Sequence, residues 1–154
     1  MCHFLPRPFS SRSLLPLPSF PANKGGWVGL NQVEYRLFDE DGKVSFAEAR
    51  AVCQGQSPPA ELASIESLEV NALLTRLAFV RSTVRQVWVG GVFSDDRAHQ
   101  LSWLDGTPAV DFGFPYLAGE PSNRRRELCL ILKARSDDEE ELGRWEDEEC
   151  NSQR

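Results

Sequence analysis

Histidine is scarce in this chain: among 154 residues only His3 and His99 carry an imidazole. A Ser-His-Asp or Cys-His catalytic set therefore has little to draw on, since His3 sits near a run of prolines and His99 stands in a polar turn. Cys53 and Cys129 read as structural. Paired C-x-x-C spacing is absent, so a tetrahedral zinc site lacks its usual ligands. The neighbouring carboxylates Glu146 and Asp147 do not suit glycoside hydrolysis, which needs two carboxyls on either side of a cleft. No enzyme is expected. A positive excess is also missing. Lys and Arg number 17 against 23 Asp and Glu, giving a net charge of -6 and a pI near 5.0. Nucleic acid is thereby excluded as a partner, because its binding rests on neutralising phosphates with Lys and Arg. No stretch of about 18 apolar residues occurs, so nothing in the chain spans a bilayer as a helix.

Acidic residues are wholly absent from residues 1–33, which carry Arg7, Arg12 and Lys24 together with Pro6, Pro8, Pro16, Pro18 and Pro21. This composition predicts a disordered leader. A secretory signal needs an uninterrupted apolar run of about 7 to 15 residues, and the prolines around Leu14, Leu15 and Leu17 break it, so no clear signal peptide is read here. The remainder, residues 34–154, has the length and the mix of apolar and charged residues of one globular domain with one core.

What is present from Glu34 onward is regular. Tyr35 and Leu37 alternate with Arg36 and Phe38 as a short strand, closed by Asp41-Gly42. Ser45 with Glu48 forms a capping box, and Phe46, Ala49, Arg50 and Cys53 follow at helical spacing, predicting a first helix that ends near Cys53. Gly55, Pro58 and Pro59 make the next segment a loop. Ser67 caps a second helix, in which Val70, Leu73, Leu74, Leu77 and Ala78 share one core-facing stripe. Val87 to Val92 and Leu101 to Leu104 flank the polar turn at Ser94-Asp95-Asp96-Arg97 as a hairpin. Trp88 and Trp103, inside these apolar runs, read as core anchors. Residues 107–126 hold Pro108, Gly113, Pro115, Gly119 and Pro121, a long loop of the kind that usually carries function. Leu128 to Leu132 reads as a strand buried on both faces, and the acidic run Asp137 to Glu141 as a solvated turn. Four cysteines, Cys2, Cys53, Cys129 and Cys150, allow three pairings that spacing alone leaves open.

The two helices, Trp88-Val89-Gly90-Gly91, Trp103-Leu104-Asp105-Gly106, Glu120-Pro121-Ser122, Glu127-Leu128-Cys129 and Trp145-Glu146-Asp147 with Cys150 occur in one order. Together they resemble the C-type lectin-like family over about residues 34–154. Glu-Pro-Ser followed by Glu-x-Cys is similar to its layilin and chondrolectin branch. The resemblance implies an α+β fold with two helices, small antiparallel sheets and a long loop that carries the ligand site. It implies a Cys129–Cys150 disulfide and would pair Cys53 with a cysteine of a closing strand that itself pairs with the first strand. The chain stops at Arg154, before that strand. The expectation is therefore an incomplete domain: an unpaired edge along Tyr35 to Phe38, Cys53 without its partner, and a marginal or partly open fold. A Cys2–Cys53 bond is disfavoured, because Cys2 falls in the expected leader.

For function, the resemblance implies calcium held by Glu120, Ser122 or the neighbouring Asn123, Glu127, Glu146 and Asp147. A hard cation with six to eight oxygen ligands needs such a set. A sugar would complete the shell through vicinal hydroxyls, against Glu120, Ser122, Asn123, Glu127 and the aromatic Tyr116. Pro121 is expected in the cis form. The chain departs from the mannose-type pattern at Ser122, which replaces an amide by a hydroxyl, and at Glu146, which adds a fourth carboxylate. Arg124, Arg125 and Arg126 can offset that charge, and a solvated mixed-charge loop is the competing reading. Three functions follow: calcium-assisted recognition of a glycan or glycoprotein, calcium-independent recognition of a protein partner, or a non-functional fragment. Disulfides point to an extracellular or cell-surface parent form.

Overall fold

The computed structural model describes residues 1–4, 26–39, 42–94, 100–122 and 128–154. Eight strands and two helices follow one another as β1 (Cys2–Phe4), β2 (Val28–Leu30), β3 (Val33–Arg36), α1 (Phe46–Gln54), β4 (Glu61–Leu62), α2 (Leu68–Arg81), β5 (Gln86–Phe93), β6 (Leu101–Trp103), β7 (Leu128–Lys133) and β8 (Trp145–Glu149). They build two four-stranded antiparallel sheets, ordered β2-β3-β1-β4 and β6-β5-β7-β8. This is the α+β architecture expected from the sequence.

Both helices begin where their caps predict. The Ser45 hydroxyl accepts from the Glu48 amide while the Glu48 carboxylate accepts from the Ser45 amide at 2.8 Å, satisfying two donors that the first turn leaves free. Ser67 accepts from the Val70 amide at 3.2 Å. Val70, Leu73, Leu74, Leu77 and Ala78 of α2 all lie buried in the main core.

The closing edge corrects three expectations. Instead of an open strand, β3 pairs with β1: Cys2 lies opposite Arg36 and His3 opposite Tyr35, and β1 pairs on its other side with β4. Cys2 is disulfide-bonded to Cys53, with both residues at most 2% exposed. The amino-terminal strand thus occupies the place that the family resemblance gave to a closing strand, and Cys53 has a partner. Two physical reasons outweigh the leader's composition: β1 supplies backbone donors and acceptors on both sides, and the bond joins two cysteines at a Cα separation of 5.4 Å. Residues 26–33 are likewise built into the fold through β2. The disorder expected for residues 5–25 concerns residues outside the described set.

Gly90 explains how the sheets meet, and Gly91 how β5 packs against its own neighbours. A Cβ on Gly90 would lie 2.4 Å from the Leu62 carbonyl oxygen, and one on Gly91 would lie 2.8 Å from Leu130 Cβ. The Gly90 amide donates to the Ala63 carbonyl at 2.8 Å. The β4 segment therefore crosses β5 with no room for a side chain. A second disulfide joins Cys129 to Cys150, as the resemblance implies. Trp88, Trp103 and Trp145 are core anchors, at 3%, 4% and 0% exposure.

Candidate functional site

The long loop is held to the core by one tryptophan. Trp145 opens β8, and its indole donates to Asn71 Oδ1 at 2.7 Å, while the Asn71 amide donates to the Gly143 carbonyl at 2.9 Å. Phe112, Phe114 and Tyr116 of the loop pack on the Trp145 ring with centroids 5.9, 5.3 and 5.5 Å away. The Trp145 amide donates to the Pro115 carbonyl at 2.9 Å and its carbonyl accepts from Leu117 at 3.0 Å. That backbone clamp brings Glu120, Pro121 and Ser122 beside Asp147, two residues further along β8. Glu120–Pro121 is cis.

A cavity of about 210 Å³ is lined there by Glu120, Ser122, Leu128 and residues 146–149. The Ser122 amide donates to Glu120 Oε2 at 2.8 Å and to Asp147 Oδ1 at 2.5 Å, and its hydroxyl donates to Asp147 Oδ2 at 3.2 Å. Burial first, then the Asp147 carboxyl beside it, pushes the Glu120 pKa from 4.5 up to about 7. Burial also acts to raise Asp147, but hydrogen bonds from Glu120 and Ser122 outweigh it and leave Asp147 below the usual carboxylate range. Two carboxyls thus meet in one half-buried pocket, with burial and the neighbouring acid favouring the protonated form of Glu120. The donor set is all oxygen, which suits a hard ion such as calcium.

The structure brings together Glu120, Ser122 and Asp147 and does not bring Glu146 to them. Strand alternation puts Trp145 and Asp147 on one face of β8 and Glu146 on the other. There both Glu146 oxygens are engaged, Oε1 with Lys133 Nζ at 3.0 Å and Oε2 with Gln86 Nε2 at 2.8 Å. Lys133 also meets Glu141 Oε2 at 2.9 Å. Among the described residues no group of three carboxylate, histidine or cysteine side chains converges as a metal site. Asn123 and Glu127, as well as Arg124 to Arg126 and His99, lie outside the described residues. Tyr116 is half-buried against Trp145, Phe93 and Phe114, a support of the loop more than an open stacking platform. The acidic run forms an exposed single turn at Glu139–Glu141.

Sequence reasoning missed Lys133 and Gln86. Their signal was available, since Lys133 breaks the apolar run of β7 at its last residue, on the face that Glu146 must share.

Comparison with known proteins matches residues 42–154 to the family described as Lectin C-type domain. A lectin of Pleurodeles waltl is 37% identical over 112 residues, covering 70% of this chain and 59% of that protein. The chain spans about three fifths of the length of the curated relatives it matches. Among solved structures, the cow C-type carbohydrate-recognition domain of CD23, determined with an oligosaccharide, aligns over 85% of this chain and 88% of its own at a TM-score of 0.63 and 23% identity. A calcium-independent type II antifreeze protein aligns over the same shares at a TM-score of 0.65 and 24% identity. At those identities the likeness shows the fold alone.

Proposed function

The chain belongs to the C-type lectin domain family, whose members are binding proteins rather than enzymes, and from that premise we propose that it recognises carbohydrate with the help of calcium. The observation that carries the reading is the convergence of Glu120 and Asp147 on one cavity, with the Ser122 amide donating to both carboxylates. Glu120, Ser122 and Asp147 would hold the ion, with Asn123 and Glu127 as the further ligands that the sequence offers. When bound, calcium supplies open coordination positions that the vicinal hydroxyls of a sugar can fill. The protein's own part is to exclude water with Leu128 and to keep the loop docked through Trp145. The oligosaccharide in the CD23 domain's structure supports the same class of ligand. Two disulfides suit an oxidising compartment, so a secreted or cell-surface setting fits. Among the described residues, no helix is long and apolar enough to cross a membrane.

A second reading, calcium-independent recognition of a protein, is favoured by one observation: Lys133 and Gln86 occupy Glu146, which leaves two converging carboxylates among the described residues. The calcium-independent antifreeze neighbour has the same fold. A glycan array probed with the oxidised chain, in calcium and again in excess chelator, separates the two. Glycan binding that disappears with chelator and with Asp147→Ala supports the first reading. Binding of a glycoprotein that persists under both conditions supports the second.

A further inference from the structure

α2 is apolar on two faces. Its inner stripe, Val70, Leu73, Leu74, Leu77 and Ala78, is buried in the core. On the outer face Leu68, Ala72, Thr75 and Phe79 recur at intervals of four, three and four residues, the spacing of a seam that faces a second helix. Leu68, Phe79 and the adjoining Val80 are 59%, 46% and 69% exposed, and Val110 is the one other large hydrophobic so exposed among the described residues. A soluble helix that is apolar all round is normally covered on both sides. α1 presents no such row, since its outer positions are Ala47, Glu48, Ala51 and Gln54. The Arg135 guanidinium stacks on the Phe79 ring, 4.4 Å from the centroid, and leaves the ring half exposed. Beside the row a shallow groove of about 530 Å³ runs between α2 and the turn at Leu142 and Gly143.

The flanks of the row decide what fits it. Glu69 and Arg76, one heptad apart, stand on the same side of the row, and both are exposed. Two antiparallel copies of α2, related by a two-fold axis between Ala72 and Thr75, set Ala72 of one against Thr75 of the other and Leu68 against Phe79. The same arrangement brings Glu69 of each copy within reach of Arg76 of the other. Small side chains thus fall at the crossing, large ones four residues out, and opposite charges beside them. An anionic membrane would call for basic residues along that flank, which Glu69 interrupts. We propose that the outer face of α2 is a homodimer interface on which a second copy of this chain packs antiparallel. A single helix pair buries less than the roughly 800 Å² per partner of a stable complex, so the dimer is weak, with a Kd on the order of 10 to 100 µM. Neither calcium nor the loop site enters this contact.

The test is sedimentation equilibrium of the oxidised full chain in excess chelator, over roughly 5 to 500 µM so as to bracket that Kd. The weight-average mass should climb from 17.3 kDa toward twice that value. A mass that stays monomeric throughout would overturn the proposal, and a monomer that co-sediments with vesicles of phosphatidylcholine and phosphatidylserine would assign the face to a lipid surface instead. Ala72→Arg puts a bulky cation at the crossing while keeping a good helix former, so it should weaken association about tenfold or more with the melting temperature unchanged. Glu69→Arg and Arg76→Glu should each weaken it about fivefold, and the two together should restore the wild-type Kd within about twofold. Because Glu69 also accepts from Asn31 at 3.3 Å, each variant is first shown to melt as the wild type does. Association that a folded Ala72→Arg chain retains would put the dimer on another surface. Failure of the folded double swap to restore it would rule out the antiparallel pairing, and either result overturns the proposal.

Discussion

The two ends of this molecule are finished in opposite ways. At the end where β1, β3, β4 and α1 meet, backbone ladders run on both sides of β1 and a buried disulfide locks it to the helix. At the long-loop end, two carboxyls are held against each other in a cavity and a third is tied back on the far face. The first end carries stability and the second carries unrelieved charge, which is where a ligand can contribute binding energy. The contrast extends to pH. His3 is buried at the closing end with Nε2 3.1 Å from Asp105 Oδ2, and burial draws its pKa below 6.5. Glu120 at the loop end is moved the other way.

The largest effect should come from opening the closed end. Replacing Cys2 and Cys53 by Ser removes a cross-link of separation 51, worth about 4 kcal/mol on the chain-entropy estimate, and frees β1 as well. Urea unfolding should show that loss, exceeding the roughly 3 kcal/mol expected for the Cys129–Cys150 bond of separation 21. The reverse order would move the anchor of the fold to β7 and β8. Next comes Gly90→Ala. Its Cβ would meet a backbone carbonyl at 2.4 Å, which no side-chain adjustment relieves, so a cost near the upper end of about 1 to 3 kcal/mol is expected in the same assay.

Smaller effects separate the two ends by pH, with chelator present throughout. A base whose folded pKa lies below its unfolded value binds fewer protons when folded. His3 therefore contributes stability that is whole above pH 6.5 and fades as the pH falls below it. An acid whose folded pKa is raised behaves oppositely: the Glu120 contribution is whole below 4.5 and is lost as the pH rises through about 7. Thermal melts should thus show His3→Gln flattening the acid side of the profile and Asp147→Asn flattening the neutral side. If either variant alters the other's side, the two ends are coupled rather than independent.

Much of the fold could be read from the residues. Capping groups at Ser45 and Ser67 are local, and the apolar runs of β5 and β7 are unmistakable because strands buried on both faces need them. β1 was not legible. Its three residues pair with partners about 30 and 60 positions away, and the prolines that follow it point to disorder. Gly90 and Gly91 gave a motif but not its reason, which is the passage of Leu62 over Gly90 and the packing of Leu130 and Leu101 on Gly91. β8 was hidden by its charge, since Trp-Glu-Asp-Glu-Glu has no apolar alternation beyond Trp145. Of the site, Glu120, Ser122 and Asp147 were legible through the ordered motifs. The turning of Glu146 depends on strand register against Lys133, and register is settled by pairing across the sheet rather than by local sequence.

The melting temperature of the oxidised chain, titrated with calcium at pH 7.5, decides whether the carboxyl pair at the loop end is a cation site. Wild type should rise with calcium concentration as ion binding to the folded state stabilises it, and Asp147→Asn should not. A wild-type midpoint that ignores calcium, in a chain that melts cooperatively, would rule out the cation site and leave calcium-independent recognition as the function of the loop end.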